Sequence, residues 1–166
     1  GRELSRVAKA FGMKVMATRR LQKKEESKKY VDTLLPTNQL SRIAKESDFL
    51  SITCPLTPIT ENIINKNIFN LMKKSAFIIN TSRGKIINET DLIAALKNKQ
   101  IAGAGLDVFL FEPLPKEHPF MELDNVILSP HIGGGSGGAR IKHVKNLLDN
   151  ISLFIKTGKA NYEIID

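Results

Sequence analysis

Five short apolar runs, "MKVMA" (13–17), "DFLSIT" (48–53), "AFIIN" (76–80), "IAGAGLDV" (101–108) and "NVILS" (125–129), do most to narrow the folds open to this chain. Each is about as long as a single strand, and polar residues rarely alternate with apolar ones along it. A strand wetted on one face reads apolar, polar, apolar; a strand buried on both faces does not. The segments between the runs have helical spacing instead. Leu4, Val7, Ala8 and Phe11 recur on one helical face, and Gly12 supplies a left-handed stop. "TNQLSRIAKES" (37–47) reads as a helix with Thr37 as N-cap, and residues 65–72 as a short one. Residues 89–98 read as a helix capped by Asn88, with Leu92, Ile93 and Leu96 facing inward. From Ser136 to Lys156, Ile141, Val144, Leu148, Ile151 and Ile155 form one stripe. Two prolines keep "CPLTPIT" (54–60) from continuing either kind of element. Strands alternating with helices predict an α/β fold whose parallel sheet is covered on both faces. The tail "GKANYEIID" is expected to form a last edge strand.

Charge sorts the partners. The net charge is +8, which could serve nucleic acid or an anionic membrane surface. The lysines are dispersed, however, and the eight Phe and two Tyr do not interleave with basic clusters. A solvated basic surface, helpful to small anionic ligands, is the expectation; nucleic acid is not. No apolar run approaches the roughly 18–20 residues that span a bilayer, so no membrane partner is expected. The first residues lack a signal-peptide layout. A single cysteine, Cys54, excludes an internal disulfide and fits a reducing, cytoplasmic setting. One Cys and three His leave little for a metal site, and none is assigned.

In open α/β sheets, ligands lie beyond the carboxyl ends of the strands. Those ends carry Thr18-Arg19-Arg20, Cys54-Pro55, Thr81-Ser82-Arg83, Asp107 with Glu112, and Pro130-His131. Taken singly, each has an ordinary explanation: a solvated arginine, a helix-capping acid, a surface histidine. Their convergence on one rim is what suggests a site. A planar guanidinium at Arg83 suits a ligand carboxylate.

The words "NTSRGKIINETDLIAALKNKQIAGAGLDVFLFEPLP" and "NVILSPHIGGGS" resemble the nucleotide-binding domain of the D-isomer-specific 2-hydroxyacid dehydrogenases. That family includes phosphoglycerate dehydrogenase and the glyoxylate/hydroxypyruvate reductases. The resemblance implies a Rossmann-type doubly wound parallel sheet, here lacking its first strand, over residues 1–135. Gly1 would be the last glycine of G-x-G-x-x-G. Residues 136–166 are expected to form a helix and tail returning toward a substrate-binding domain that this sequence does not contain. The resemblance implies hydride transfer between NAD(P)H and a small 2-oxo acid or D-2-hydroxy acid. In that role His131 would be the acid/base, Glu112 would orient its imidazole, and Arg83 would bind the substrate carboxylate. Asp107 would accept a hydrogen bond from the nicotinamide carboxamide. Cys54, Pro55, Thr60, Thr81, Ser82, Arg83 and the turn His131, Ile132, Gly133, Gly134 would line the cofactor. A homodimer is also implied.

The cofactor expectation rests on one position. Users of NAD place an acid after the second strand to bond the adenosine ribose. Here Thr18, Arg19 and Arg20 follow "KVMA", with Arg19 where the acid is expected. A guanidinium pair welcomes a 2′-phosphate, so NADP is the expected cofactor, with NAD as the alternative. Formate dehydrogenases resemble this pattern with glutamine in place of Glu112, which sets formate aside. A dinucleotide-sensing module resembling the dehydrogenase-like corepressors is the competing class. The 166 residues taken alone are expected to be inactive, because no wall closes over the substrate.

Overall fold

The computed structural model describes residues 1–20, 22–135 and 137–159, with the side chains of residues 139 and 140 set aside. It divides after Pro130 into two units, Gly1–Pro130 and a second starting at His131. In the first unit α1 (Arg2–Ala10) ends where Gly12 adopts a φ of 73°, as the helical spacing requires. Four residues later the chain enters β1 (Met16–Arg19), then β2 (Glu26–Lys28) and β3 (Val31–Pro36). β1 starts three residues later than the apolar run suggested, and the charged stretch before Tyr30 had concealed β2 and β3. The boundary is set by Asp32. Its carboxylate accepts from the Val15 amide (2.7 Å) and from the Lys9 ammonium (2.9 Å), while Val15 O accepts from the Asp32 amide at 2.9 Å.

These bonds, the Val15 amide first and Lys9 second, lower the Asp32 pKa below the ordinary carboxylate value. A folded pKa below the unfolded one gives stability that is present above the unfolded value and lost as pH falls through the folded one. Asp32→Asn is therefore expected to lower the melting temperature near neutrality, with the difference from wild type starting to shrink below about pH 4 and disappearing only once pH is below the lowered folded pKa. Thermal melts across pH check it.

Residues 37–47 start differently from the sequence reading. A short 3-10 turn (Thr37–Gln39) precedes α2 (Leu40–Glu46), and no side chain caps that helix, so Thr37 is not its N-cap. The rest of the unit follows the expected order: β4 (Phe49–Ile52), α3 (Lys66–Phe69), β5 (Phe77–Asn80), α4 (Glu89–Lys97), β6 (Gly103–Leu106) and β7 (Val126–Leu128). Asn88 caps α4 by accepting from the Asp91 amide at 3.0 Å. The buried stripe of α4 is Leu92, Ala95 and Leu96, with Ile93 only half-buried.

The strands form two sheets. One has the order β1-β3-β2 and the other β4-β5-β6-β7, every neighbour in the second being parallel. β1 and β3 are parallel, and β2 is an antiparallel edge. A doubly wound sheet carries its first strand in the middle, between the second and the fourth. β1 and β4 are terminal strands of their sheets, the positions that flank the first strand in that order. Burial is one-sided on the larger sheet. Leu50, Ile52, Ile78, Ala104 and Leu106 join the core at 6% exposure or less, whereas Phe49, Phe77 and Ile127 on the opposite face are exposed. The expected cover of both faces is thus not seen at those positions. Phe49 and Phe77 stack on each other at 5.8 Å.

The second unit contains α5 (Gly137–Thr157). Its expected apolar stripe exists, but Ile141, Val144, Leu148, Ile151 and Ile155 are exposed. The expected edge strand in the tail lies outside the described residues. No helix among the described residues is long and apolar enough to cross a membrane.

Candidate active site

β5 ends on a polar residue that an apolar strand would not ordinarily tolerate. Asn80 is 1% exposed, and burial at that level demands that its amide be satisfied. Its Nδ2 donates to Arg83 O and its Oδ1 accepts from the Ser82 amide, both at 3.0 Å. Asn80 O accepts from the Asp107 amide at 3.0 Å, which ties the turn to the end of β6. Arg83 therefore projects from a stapled turn, exposed and in extended backbone (φ −146°, ψ 140°). Its Nη1 donates to Ser82 O at 2.7 Å. Gly84 follows because nothing larger fits: a Cβ there would lie 2.1 Å from the carbonyl of Phe109.

β6 continues into Asp107, Val108 and Phe109, all buried, before the chain surfaces at Leu110, Phe111 and Glu112. Asp107 Oδ1 accepts from Ser129 Oγ at 2.6 Å, and the Ser129 amide donates to Leu106 O, so β7 delivers this hydroxyl. Glu112 turns back, its Oε1 accepting from the Phe109 amide at 3.0 Å, and the peptide to Pro113 is cis. The loop 54–60 is closed on itself. Thr60 Oγ1 donates to Pro55 O at 2.7 Å and accepts from the Thr57 amide at 2.8 Å. Ser82 Oγ donates to Cys54 O. Cys54 packs against the core, and burial raises its thiol pKa, which keeps it protonated and inert. Thr81 is exposed at the head of the Arg83 turn.

The residues present fit a dinucleotide. Gly1 precedes α1 without a side-chain cap, and a Cβ there would sit 3.1 Å from Thr53 Oγ1, just beyond β4. Such tight helix–strand packing is the office of the last glycine in a dinucleotide turn. At the end of β1, Thr18 is half-buried while Arg19 and Arg20 are exposed, and Arg19 O accepts from the Gln22 amide at 3.0 Å. The neighbouring acids are engaged elsewhere: Glu25 with Arg42 (2.8 Å) and Glu26 with Lys28 (3.1 Å).

In the second unit His131 has a φ of +53°, a left-handed conformation that costs a non-glycine residue energy. It is exposed, and it leads into a turn closed by the Gly135 amide donating to Ile132 O at 2.8 Å. Gly133 and Gly134 lie within that turn, and both are exposed. Among the described residues no three His, Cys, Asp or Glu side chains gather to hold a metal.

Residues 1–133 match the family model of the D-isomer specific 2-hydroxyacid dehydrogenase NAD binding domain. The chain belongs to this family. Among the 2-hydroxyacid dehydrogenase relatives, the glyoxylate reductase of Thermococcus onnurineus is 43% identical over 160 residues, covering 96% of this chain and 46% of that protein. An acyclic imino acid reductase, solved with NADPH and D-Arg, superposes with a TM-score of 0.88 at 32% identity, covering 99% of this chain and 50% of that one. The NADPH-dependent glyoxylate/hydroxypyruvate reductase of Sinorhizobium meliloti, solved with NADP and malonate, has a TM-score of 0.85 at 30% identity, over 99% and 49%. The chain spans about half the length of these relatives.

In the first unit the turn of residues 80–84 joins Cys54, Thr81, Ser82, Arg83 and Asp107 through direct bonds and shared strand ends. Thr18, Arg19 and Arg20 stand at the end of the other sheet. Sequence reasoning passed over Asn80, Gly84 and Ser129. A polar residue closing an apolar strand was the available signal for Asn80, and glycine directly after the turn arginine was the signal for Gly84.

Proposed function

We propose that this chain is the dinucleotide-binding half of an NADP-preferring reductase that converts small 2-oxo acids to D-2-hydroxy acids. The observation that carries it is Arg83, a permanent cation exposed on a turn that Asn80 staples rigidly to the sheet. When bound, the reduced nicotinamide supplies the hydride. Arg83 binds the substrate carboxylate through its planar fork and draws charge toward the adjacent carbonyl oxygen. His131 gives that oxygen a proton from its imidazolium, and takes it back in the oxidative direction. Glu112 favours the protonated ring and fixes its orientation. Asp107 accepts from the carboxamide of the cofactor. The proposed lining comprises Cys54, Pro55, Thr60, Thr81, Ser82, Ile132, Gly133 and Gly134. Residues 1–135 are assigned to dinucleotide binding and 136–166 to the connection with the substrate domain. The names of the relatives support glyoxylate and hydroxypyruvate as the substrate class. The reading includes a cytoplasmic homodimer with no nucleic-acid or membrane partner.

A panel of 2-oxo acids, each with NADPH and with NADH, tests this in the full-length protein. Turnover of glyoxylate or hydroxypyruvate is expected, and a protein that reduces neither contradicts the proposal. Arg19→Asp removes a charge-assisted contact to the 2′-phosphate and sets a carboxylate against it. The expected loss in kcat/KM for NADPH is about 10²-fold, with NADH affected far less. Equal losses with both cofactors would show that Arg19 does not read the phosphate.

A further inference from the structure

The loop bearing Glu112 is held by a pair that no role above requires. Glu89, in the first turn of α4, receives the Leu110 amide on Oε2 at 3.4 Å. Its other oxygen, Oε1, faces His118 Nε2 at 3.2 Å. The opposite ring nitrogen, His118 Nδ1, accepts from the Phe120 amide at 3.3 Å. An Nδ1 that accepts carries no proton in a neutral ring, so Nε2 bears the hydrogen and donates it to Glu89. Both side chains are largely sheltered, at 15% and 18% exposure. The His118 ring also rests on Phe120 at 4.7 Å, and Phe120 meets Phe109 at 6.5 Å.

Glu89 and His118 thus reach the loop twice, through the Leu110 amide and through the Phe120–Phe109 ring contact. Gly84 lies against the same Phe109–Leu110 peptide. Phe109 in turn supplies the amide that Glu112 binds. A solvated ion pair would contribute little, but here a partly buried carboxylate is satisfied by a backbone donor and a defined imidazole tautomer.

We propose that Glu89 and His118 are positioning residues: a carboxylate–imidazole latch that sets the 109–112 loop and, through it, the Glu112 carboxylate. The inference rests on the role proposed above for Glu112. The latch touches neither substrate nor cofactor, so it acts on kcat rather than on dinucleotide affinity.

The test is steady-state kinetics of full-length wild type, Glu89→Ala, His118→Ala and His118→Gln, with thermal melts of each. The alanine variants are expected to lose about 10-fold or more in kcat while KM for NADPH moves less than about 3-fold. His118→Gln keeps an N–H for Glu89 and is expected to restore most of the loss. Two outcomes overturn the latch: alanine variants with wild-type kcat, or losses in kcat and in KM for NADPH together that glutamine does not rescue. A wild type that reduces no 2-oxo acid instead removes the functional reading itself, so the two failures are distinguishable. Should the alanine variants melt too early to assay, Glu89→Gln carries the comparison: it keeps an acceptor for Leu110 but sets an N–H against His118 Nε2–H, so a kcat below wild type with KM for NADPH unchanged is expected, and a wild-type kcat overturns the latch.

Discussion

Replacing His131 with asparagine lowers kcat for glyoxylate reduction by about 10²- to 10⁴-fold, the range that a positioned general acid contributes. The choice of asparagine matters. His131 holds a φ of +53°, and asparagine is among the few residues that tolerate that region. The backbone turn into Ile132 and Gly135 is therefore kept while the titrating ring is removed. KM for NADPH and the melting temperature are expected to stay near wild type, which separates lost proton transfer from a lost fold. A kcat within 10-fold of wild type would remove His131 from the chemistry.

Gly84→Ala destabilises the full-length protein by about 3 kcal/mol, at the upper end of what overpacking costs. The reason is geometric. The new Cβ would sit 2.1 Å from Phe109 C and O and 2.6 Å from Leu110 N. These are backbone atoms, so no flexible side chain can yield; the turn after β5 and the loop after β6 must separate. For a protein of 150–250 residues that is a fall in melting temperature of about 6–12 °C, and a smaller one in a longer chain. Activity at a temperature where the variant is folded should fall too, because the moving parts are the turn of Arg83 and the loop of Glu112. A variant with wild-type melting behaviour would show that the two segments are not pressed together.

How far sequence reached depended on what kind of force fixes each element. β4 to β7 and α4 were legible because burial imposes a pattern: apolar runs for strands packed in parallel, and Asn88 before the periodic Leu92 and Leu96. β2 was missed because it is a solvated edge strand, and β3, central in its sheet, because Asp32 interrupts the apolar pattern at its start. "EESKK" is solvated, its pairing comes from β3, and β3 is anchored by Asp32, whose bond to Val15 crosses 17 residues. Thr37 failed as a cap because a 3-10 turn intervenes, a local choice that side-chain type does not encode. The strand ends that carry Arg83 and Asp107 were legible because a parallel sheet sends its strand ends to one edge. Asn80, Gly84, Glu89, Ser129 and His118 were not. Their importance comes from contacts between segments 20 or more residues apart, or, for Asn80, from burial that only tertiary structure reveals.

In the proposed mechanism Arg83 and His131 act on one substrate molecule. A crystal structure of the full-length protein with NADPH and oxamate, an unreactive analogue of a 2-oxo acid, tests it directly. The Arg83 guanidinium is expected on the oxamate carboxylate, with a His131 ring nitrogen about 2.6–3.2 Å from the adjacent carbonyl oxygen. Oxamate bound with either side chain turned to solvent contradicts it.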